Sequence, residues 1–158
     1  MPYAMTEAGT RRPLTWRQDA DGKLLLKCAA HADLTAKTPY LIRATTGGYV
    51  TMGLTDTGID TLTAAAHNGF YLGVPLTAIT SNNDGYLQIG GYISTVTTAS
   101  ITGTAGGMFR LVDASVANGG AGSTDVGLVA DFAVCQTSAS GSTVHDMYLL
   151  ARHVCGIT

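Results

Sequence analysis

Charged residues are scarce in this sequence. Only 13% of the 158 residues are charged, the one glutamate is Glu7, and the lysines are Lys23, Lys27 and Lys37. Helices in water usually carry Glu and Lys on their exposed side, so the composition disfavours amphipathic helices and favours strands and turns. The net charge of −2 provides no basic field that would attract nucleic acid or an anionic membrane. We therefore expect neither as a partner.

The same scarcity of charge bears on assembly. Hydrophobic residues make up 46% of the chain, so few ions are available to cover the surface of a monomer. Surfaces of this kind commonly lie in contacts between subunits. The composition therefore indicates oligomerisation.

Long apolar runs and paired cysteines are also missing. No run approaches the roughly 20 residues that a membrane-spanning helix needs, and the first residues lack the basic and apolar regions of a secretory signal. The cysteines, Cys28, Cys135 and Cys155, are odd in number. We expect a chain made in a reducing cytoplasm, with free thiols.

One cluster in the sequence has metal-ligand chemistry, Cys135, His145, His153 and Cys155. A structural zinc site needs four ligands in tetrahedral geometry, and the group contains neither a Cys-x-x-Cys nor a His-x-x-x-His pair. The apolar neighbours are typical of ordinary packing, and a buried thiol needs no further explanation. We therefore predict no metal site and no cofactor.

Catalytic motifs are equally weak. Ser140, Ser142, His145 and Asp146 are close in sequence, but this order does not make a nucleophile, base and acid arrangement. Two glycine-rich loops lack the phosphate-binding spacing, and no lysine follows Lys37. We predict that the chain is not an enzyme. A small β-barrel hydrolase remains an alternative if His145 and a serine lie within hydrogen-bonding distance.

Strand patterns are what the sequence does contain. Residues 70–80 and 86–94 are two β-forming runs joined by Ser-Asn-Asn-Asp-Gly at 81–85, a composition typical of a hairpin turn. Residues 86–94 alternate Tyr, Gln, Gly and Tyr with Leu, Ile, Gly and Ile, which predicts a half-buried strand. The Gly47-Gly48 pair predicts another hairpin.

A second strand, turn and strand order occurs near the C-terminus. Residues 125–136 and 143–155 are apolar runs that flank the polar turn at 137–142. The recurrence after about 55 to 60 residues suggests a duplicated β unit. The sequence therefore predicts an all-β domain over residues 23–158, a compact sandwich or barrel built from two related strand-turn-strand units.

The first 22 residues differ from the rest. They contain Arg11, Arg12, Arg17 and the only tryptophan, Trp16, without a sustained apolar period. Because Trp and Arg often anchor interfaces, we predict an extended N-terminal arm over residues 1–22 that docks against a partner.

A family resemblance rests on the first hairpin. The runs Phe-Tyr-Leu-Gly-Val-Pro-Leu-Thr-Ala at 70–78 and Gly-Tyr-Leu-Gln-Ile-Gly-Gly at 85–91, followed by Val-Gly-Leu-Val-Ala at 126–130, resemble decoration, or cement, proteins of tailed-bacteriophage heads. The resemblance covers about residues 24–157. It implies a virion protein on the outer capsid surface, commonly a homotrimer, that binds the major capsid protein and ties its neighbouring subunits together.

Candidate contact residues follow from the arm and from the strand tyrosines. We expect the strands to form the scaffold and the trimer contacts, and the arm and turns to meet the capsid. The alternative is a receptor-binding or glycan-binding fibre or adhesin domain, in which strand tyrosines, Tyr49 among them, would stack on sugars. The predicted contact residues are Arg11, Arg12, Trp16, Arg17, Tyr71, Tyr86 and Tyr92.

Overall fold

The structure is a computed structural model that describes residues 16–45, 48–53, 71–112, 115–118 and 130–151. The described residues contain strands and no helix, which confirms the predicted all-β class. Hence none of them belongs to a helix long and apolar enough to cross a membrane. The strands are β1 Trp16–Gln18, β2 Leu24–Ala29, β3 Tyr40–Thr45, β4 Gly48–Met52, β5 Tyr71–Pro75, β6 Asp84–Gly103, β7 Met108–Val112, β8 Ser115–Asn118, β9 Ala130–Cys135 and β10 Ala139–Leu150.

Five of these strands close a barrel. Their order is β2, β4, β3, β5 and β6, and β6 pairs back onto β2. The contact between β2 and β4 is parallel and consists of the pair Ala29 and Val50, whereas the other barrel pairings are antiparallel. The barrel interior is filled by an apolar cluster of Leu26, Cys28, Ala30, Leu34, Ile42, Tyr71, Leu87 and Ile89.

Strand β6 belongs to two layers. Its first half pairs with β2 and β5, and its second half pairs with β10 in a sheet that continues through β9 and β7 to β8. The change of partner falls next to Gly91. This residue has φ of +89°, and its added Cβ would stand 3.1 Å from the Gly22 carbonyl oxygen. Only glycine meets both conditions without strain.

A second core fills the space between the barrel and this outer sheet. Leu41, Leu72 and Val74 contribute from the outer side of β3 and β5. Phe109, Phe132, Met147 and Leu149 contribute from β7, β9 and β10 and are also buried. The fold is therefore a closed barrel with a sheet packed on its outside, in agreement with the predicted compact β architecture.

This second layer explains a departure from the predicted half-buried strand. Gln88, expected on a solvent face, is fully buried because its side of β6 lies against the outer sheet. Its Nε2 donates hydrogen bonds to the carbonyl oxygens of Gly90 at 3.1 Å and Tyr92 at 2.9 Å. The side chain thus holds the backbone carbonyls on either side of Gly91.

The hairpins lie where the sequence predicts them, but their strands begin and end at different residues. Strand β5 ends at Pro75, before the predicted residue 80, because proline has no N–H to continue a ladder. Leu34 and Ile79 form a short bridge beyond it. The hairpin predicted at the Gly47-Gly48 pair is confirmed by the pairing of Thr45 with Gly48. Strand β10 begins at Ala139, inside the predicted turn at 137–142.

The predicted arm is described only from Trp16 onward. Trp16, Arg17 and Gln18 form β1, which pairs antiparallel with β2, and a turn at Asp19 to Gly22 joins the two strands. The sheet therefore begins inside the segment that was expected to be an arm. Arg11 and Arg12 lie outside the described residues.

Candidate interaction surface

Two exposed tyrosines lie side by side on the outer face of the β6 and β10 pair. Tyr92 and Tyr148 are direct partners across the antiparallel strands, so their Cβ atoms are about 5 Å apart on the same face. Each is 47% exposed, and Val144 nearby on β10 is 44% exposed. These are the exposed large hydrophobic residues of the described chain. We call Tyr92, Val144 and Tyr148 the tyrosine face.

Alternation along β10 sends these side chains outward. His145, Met147 and Leu149 are buried toward the second core. Because successive side chains of a strand point to opposite sides, Val144 and Tyr148 face away from that core. The tyrosine face is thus presented by strands that are anchored on their other side.

A bulge in β6 adjusts the register beside Tyr92. Val96 pairs with His145 and Ile93 with Met147, so three residue steps on β6 oppose two on β10. Thr95, within the bulge, has φ of +56°, an unfavourable conformation for a β-branched residue. Its N–H donates to Asp146 Oδ1 at 2.9 Å, which holds the strained backbone in place.

The phenol of Tyr92 is the titratable group of the tyrosine face whose pKa is shifted. Partial loss of hydration raises the pKa of Tyr92 above its ordinary value, and the Asp146 carboxylate beside it acts in the same direction. The phenol therefore stays protonated and can donate a hydrogen bond at neutral pH. Aromatic rings with a polar end are the side chains that protein interfaces favour.

A second feature combines two of the predicted contact residues. The guanidinium carbon of Arg17 stands 5.8 Å from the centre of the Tyr86 ring, within range of a cation–π interaction. Arg17 also pairs with Asp19 at 3.2 Å. An open groove of about 590 Å³ lies between the β1–β2 hairpin and the segment from Leu76 to Tyr86, and its lining includes Arg17, Asp19 and Tyr86. Charges of both signs line this groove, so it does not select an ion of one sign.

The other predicted residues are placed differently. Tyr71 is only 9% exposed and packs edge to face against Tyr49, with ring centres 6.4 Å apart, in the barrel core. A buried ring of this kind offers no surface to a partner. Trp16 lies in β1 opposite Leu26. Among the predicted residues whose side chains are described, Arg17 and Tyr86 come together, Tyr71 lies in the barrel core and Tyr92 lies on the tyrosine face.

Sequence reasoning missed Tyr148, the partner of Tyr92. The signal was the alternation of residues 143–150, in which His, Met and Leu alternate with Val, Asp and Tyr. The missing information was the register between β6 and β10, because only the pairing of Tyr148 with Tyr92 makes two separate tyrosines one surface.

The hydrolase alternative gains no support from His145. This residue is buried, and its Nε2 lies 3.1 Å from the carbonyl oxygen of Ser142 and not from the hydroxyl. The Ser142 hydroxyl donates instead to the Val144 carbonyl at 2.7 Å. The pair is therefore not arranged as nucleophile and base.

Comparison with known proteins yields no relative for this chain. No family model matches the sequence, and neither the curated proteins nor the solved structures give a match.

Proposed function

We propose that this chain is a structural virion protein that decorates a phage capsid and stabilises it by bridging neighbouring major capsid subunits, as a homotrimer and without catalysis. The observation that carries the proposal is the tyrosine face, two paired aromatic side chains and a valine exposed on a strand pair that is rigidly packed behind. Together with the low charge of the chain, it is typical of a surface that another protein covers.

The two surface features suit two different contacts. The tyrosine face is apolar at its centre, as the core of an interface between like subunits usually is. The groove beside Arg17 is polar and adjoins β1, the strand that continues from the N-terminal segment. We therefore assign the tyrosine face to contacts between copies, which form when the protein is on the capsid, and the Arg17 groove to the major capsid protein.

Such a protein would act by mass action. A partner that binds the assembled capsid and not its separated subunits stabilises the assembled state, and the effect grows with the concentration of the partner. The anchored strands behind the tyrosine face suit this role, since a rigid surface loses little entropy when it binds.

The test of this function is a comparison of capsids assembled with and without the protein. We expect capsids that lack it to rupture at a lower temperature, and added protein to restore the original temperature. Equal heat resistance of the two kinds of particle would remove the proposed role.

A second candidate function is glycan binding at the same face. It is favoured by the juxtaposition of Tyr92 and Tyr148 with the Asp146 carboxylate, because sugars stack on aromatic rings and donate hydroxyls to carboxylates. Calorimetric titration with a panel of bacterial surface glycans distinguishes the candidates. Binding of a glycan that is lost in Tyr92→Ala with Tyr148→Ala would favour the adhesin, and absence of binding would favour the decoration protein.

A further inference from the structure

Asp146 is a charged side chain beside the tyrosine face. Because side chains alternate along β10, it lies on the same side of the strand as Val144 and Tyr148, which are exposed. Its Oδ1 accepts a hydrogen bond from the Thr95 N–H at 2.9 Å, and the Tyr92 phenol lies beside the same carboxylate. Both neighbours are uncharged donors, so they do not balance the negative charge of Asp146.

No cationic side chain of the described part of the chain balances that charge either. The ion pairs of the described residues are Arg17 with Asp19, Lys23 with Asp21 and Lys27 with Asp84. In the free protein, water can hydrate the Asp146 carboxylate, which is half-buried. A carboxylate that loses its water without gaining a cation is costly. A surface that covers the tyrosine face should therefore bring a positive charge to Asp146.

The chain itself offers a suitable cation. Among the lysine and arginine side chains that the structure describes, Lys37 and Arg43 lie outside the ion pairs named above. The Thr97 N–H donates a hydrogen bond to the Lys37 carbonyl oxygen at 2.8 Å, and Thr97 is the direct partner of Val144. Lys37 therefore lies against β6 beside the tyrosine face, whereas Arg43 belongs to β3 of the barrel.

The two charges lie on opposite sides of β6. Asp146 belongs to β10, which pairs with one edge of the strand. An N–H of a strand points to one edge only, and that of Thr97 points to Lys37, so Lys37 lies at the other edge. Two such sites that are far enough apart not to pair within one copy are suited to pair between two copies.

We propose that Asp146 of each copy forms an ion pair with Lys37 of the next copy in the homotrimer. The inference rests on the proposed function, which supplies the trimer. A three-fold ring joins two different parts of each subunit surface, and a negative and a positive site on opposite sides of β6 are two such parts. Three equivalent contacts then leave no Asp146 carboxylate uncompensated, and the tyrosine face provides their apolar surroundings.

Two asparagine variants remove the charges and preserve the backbone. Asp146→Asn retains an oxygen that accepts from the Thr95 N–H. Lys37 has φ of +62°, a conformation that asparagine adopts more readily than most residues, so Lys37→Asn adds no strain. Arg43→Gln removes the other cation without an ion pair and is the matched control.

The direct test is cross-linking on capsids that carry ordinary and isotopically heavy protein in equal amounts. A carbodiimide joins a carboxylate and an amine in contact into an amide, with loss of water. We expect mass spectrometry to find Asp146 joined to Lys37, with one ordinary and one heavy peptide in part of the product. Lys37→Asn should abolish this cross-link, and Arg43→Gln should retain it.

Affinity for capsids gives a second readout. Lys37→Asn and Asp146→Asn should each weaken it at least about tenfold, and the double variant should be no weaker than either, since each change breaks the same pair. Arg43→Gln should leave it unchanged. Additive losses would overturn the inference, as would an Asp146 cross-link to a lysine of the capsid protein.

The outcomes also separate this inference from the function on which it rests. Trimers on the capsid that give no cross-link between Asp146 and Lys37, or give it only between peptides of the same isotopic composition, would overturn the inference and leave the function standing. Protein that does not bind capsids, or that binds as isolated single copies, would remove both.

Discussion

The barrel interior and the tyrosine face use the same residue type in opposite ways. Tyr71 of β5 is packed among apolar side chains inside the barrel, whereas Tyr92 of the next strand, β6, is half exposed. Inside the barrel, space is so limited that even a methyl group would collide with its neighbours. On the tyrosine face, side chains reach solvent without supporting the core. Stability therefore resides in the barrel, and the tyrosine face can be changed without disturbing it, which suits the contacts that we propose for that face.

The largest expected effect is on assembly. Replacing Tyr92 and Tyr148 together by Ala removes both aromatic contacts, and hot-spot aromatic residues each contribute about 2 kcal/mol or more to binding. We expect the affinity for capsids to fall by roughly 1,000-fold, with little change in the free energy of unfolding. Binding to capsids and chemical denaturation measure the two quantities. Arg43→Ala, at an exposed position of the barrel strand β3, is the control and should retain binding.

The next effect is on stability. Gly73→Ala would place a Cβ 2.6 Å from Ile42 Cδ1 and 2.9 Å from Leu87 Cβ, and overpacking of a core costs about 1–3 kcal/mol. Denaturant unfolding should show this loss, while capsid binding of the folded protein stays unchanged.

A double-mutant cycle sharpens that result. Ile42→Val removes the Cδ1 atom that collides, so it should restore part of the stability lost in Gly73→Ala. Additive losses in the double variant would show that the collision with Ile42 is not the cause.

Alkaline pH should weaken the barrel before it affects the tyrosine face. Burial raises the pKa of the Cys28 thiol, with a further contribution from the Asp84 carboxylate, and burial raises that of Tyr71 with a contribution from Tyr49. The folded state therefore keeps protons that the unfolded chain releases. The contribution of these groups to the free energy of unfolding is fully present below the unfolded thiol pKa of about 8.5. Above that pH it should fall, by up to about 1.4 kcal/mol per pH unit for each group.

Denaturant unfolding at a series of pH values measures this loss. Cys28→Ala should make the decline between about pH 8.5 and 10 shallower, and part of the decline should remain because burial also raises the pKa of the Cys135 thiol. A decline as steep in the variant as in the parent chain would assign the effect to other residues.

The smallest effect concerns the bulge beneath the tyrosine face. Asp146→Asn keeps an oxygen acceptor for the Thr95 N–H but removes its charge, so the loss of stability should be about 1 kcal/mol or less. The pKa of Tyr92 should also fall toward its ordinary value, because the carboxylate that raises it is gone. Ultraviolet titration of the tyrosines, with Tyr92→Phe as the reference, detects this change.

The sequence predicted the class of fold because its evidence is local. Scarce Glu and Lys, the polar turn at 81–85 and the Gly47-Gly48 pair act over a few residues, and the structure has strands joined at those places. The alternation of residues 143–150 likewise follows the burial of β10.

The sequence did not predict which strands that are distant along the chain pair with one another. Nothing in residues 84–103 indicates that one strand passes from the barrel into the outer sheet, because the covering strands come from distant parts of the chain. For the same reason the burial of Gln88 was not predicted. Tyr71 and Tyr92 both lie in β-forming runs. Only the pairing of distant strands, which closes the barrel around Tyr71 and leaves Tyr92 on an outer face, determines which of them is exposed.

The central claim is that the tyrosine face is covered when the protein is on a capsid. Its most direct test is tyrosine-selective nitration of the free protein and of capsids that carry it, followed by mass spectrometry of the peptides. The buried Tyr71 is the internal reference and should react slowly in both samples. We predict that Tyr92 and Tyr148 react readily in the free protein and are protected on the capsid. Equal reaction of these two tyrosines in both samples would contradict the claim.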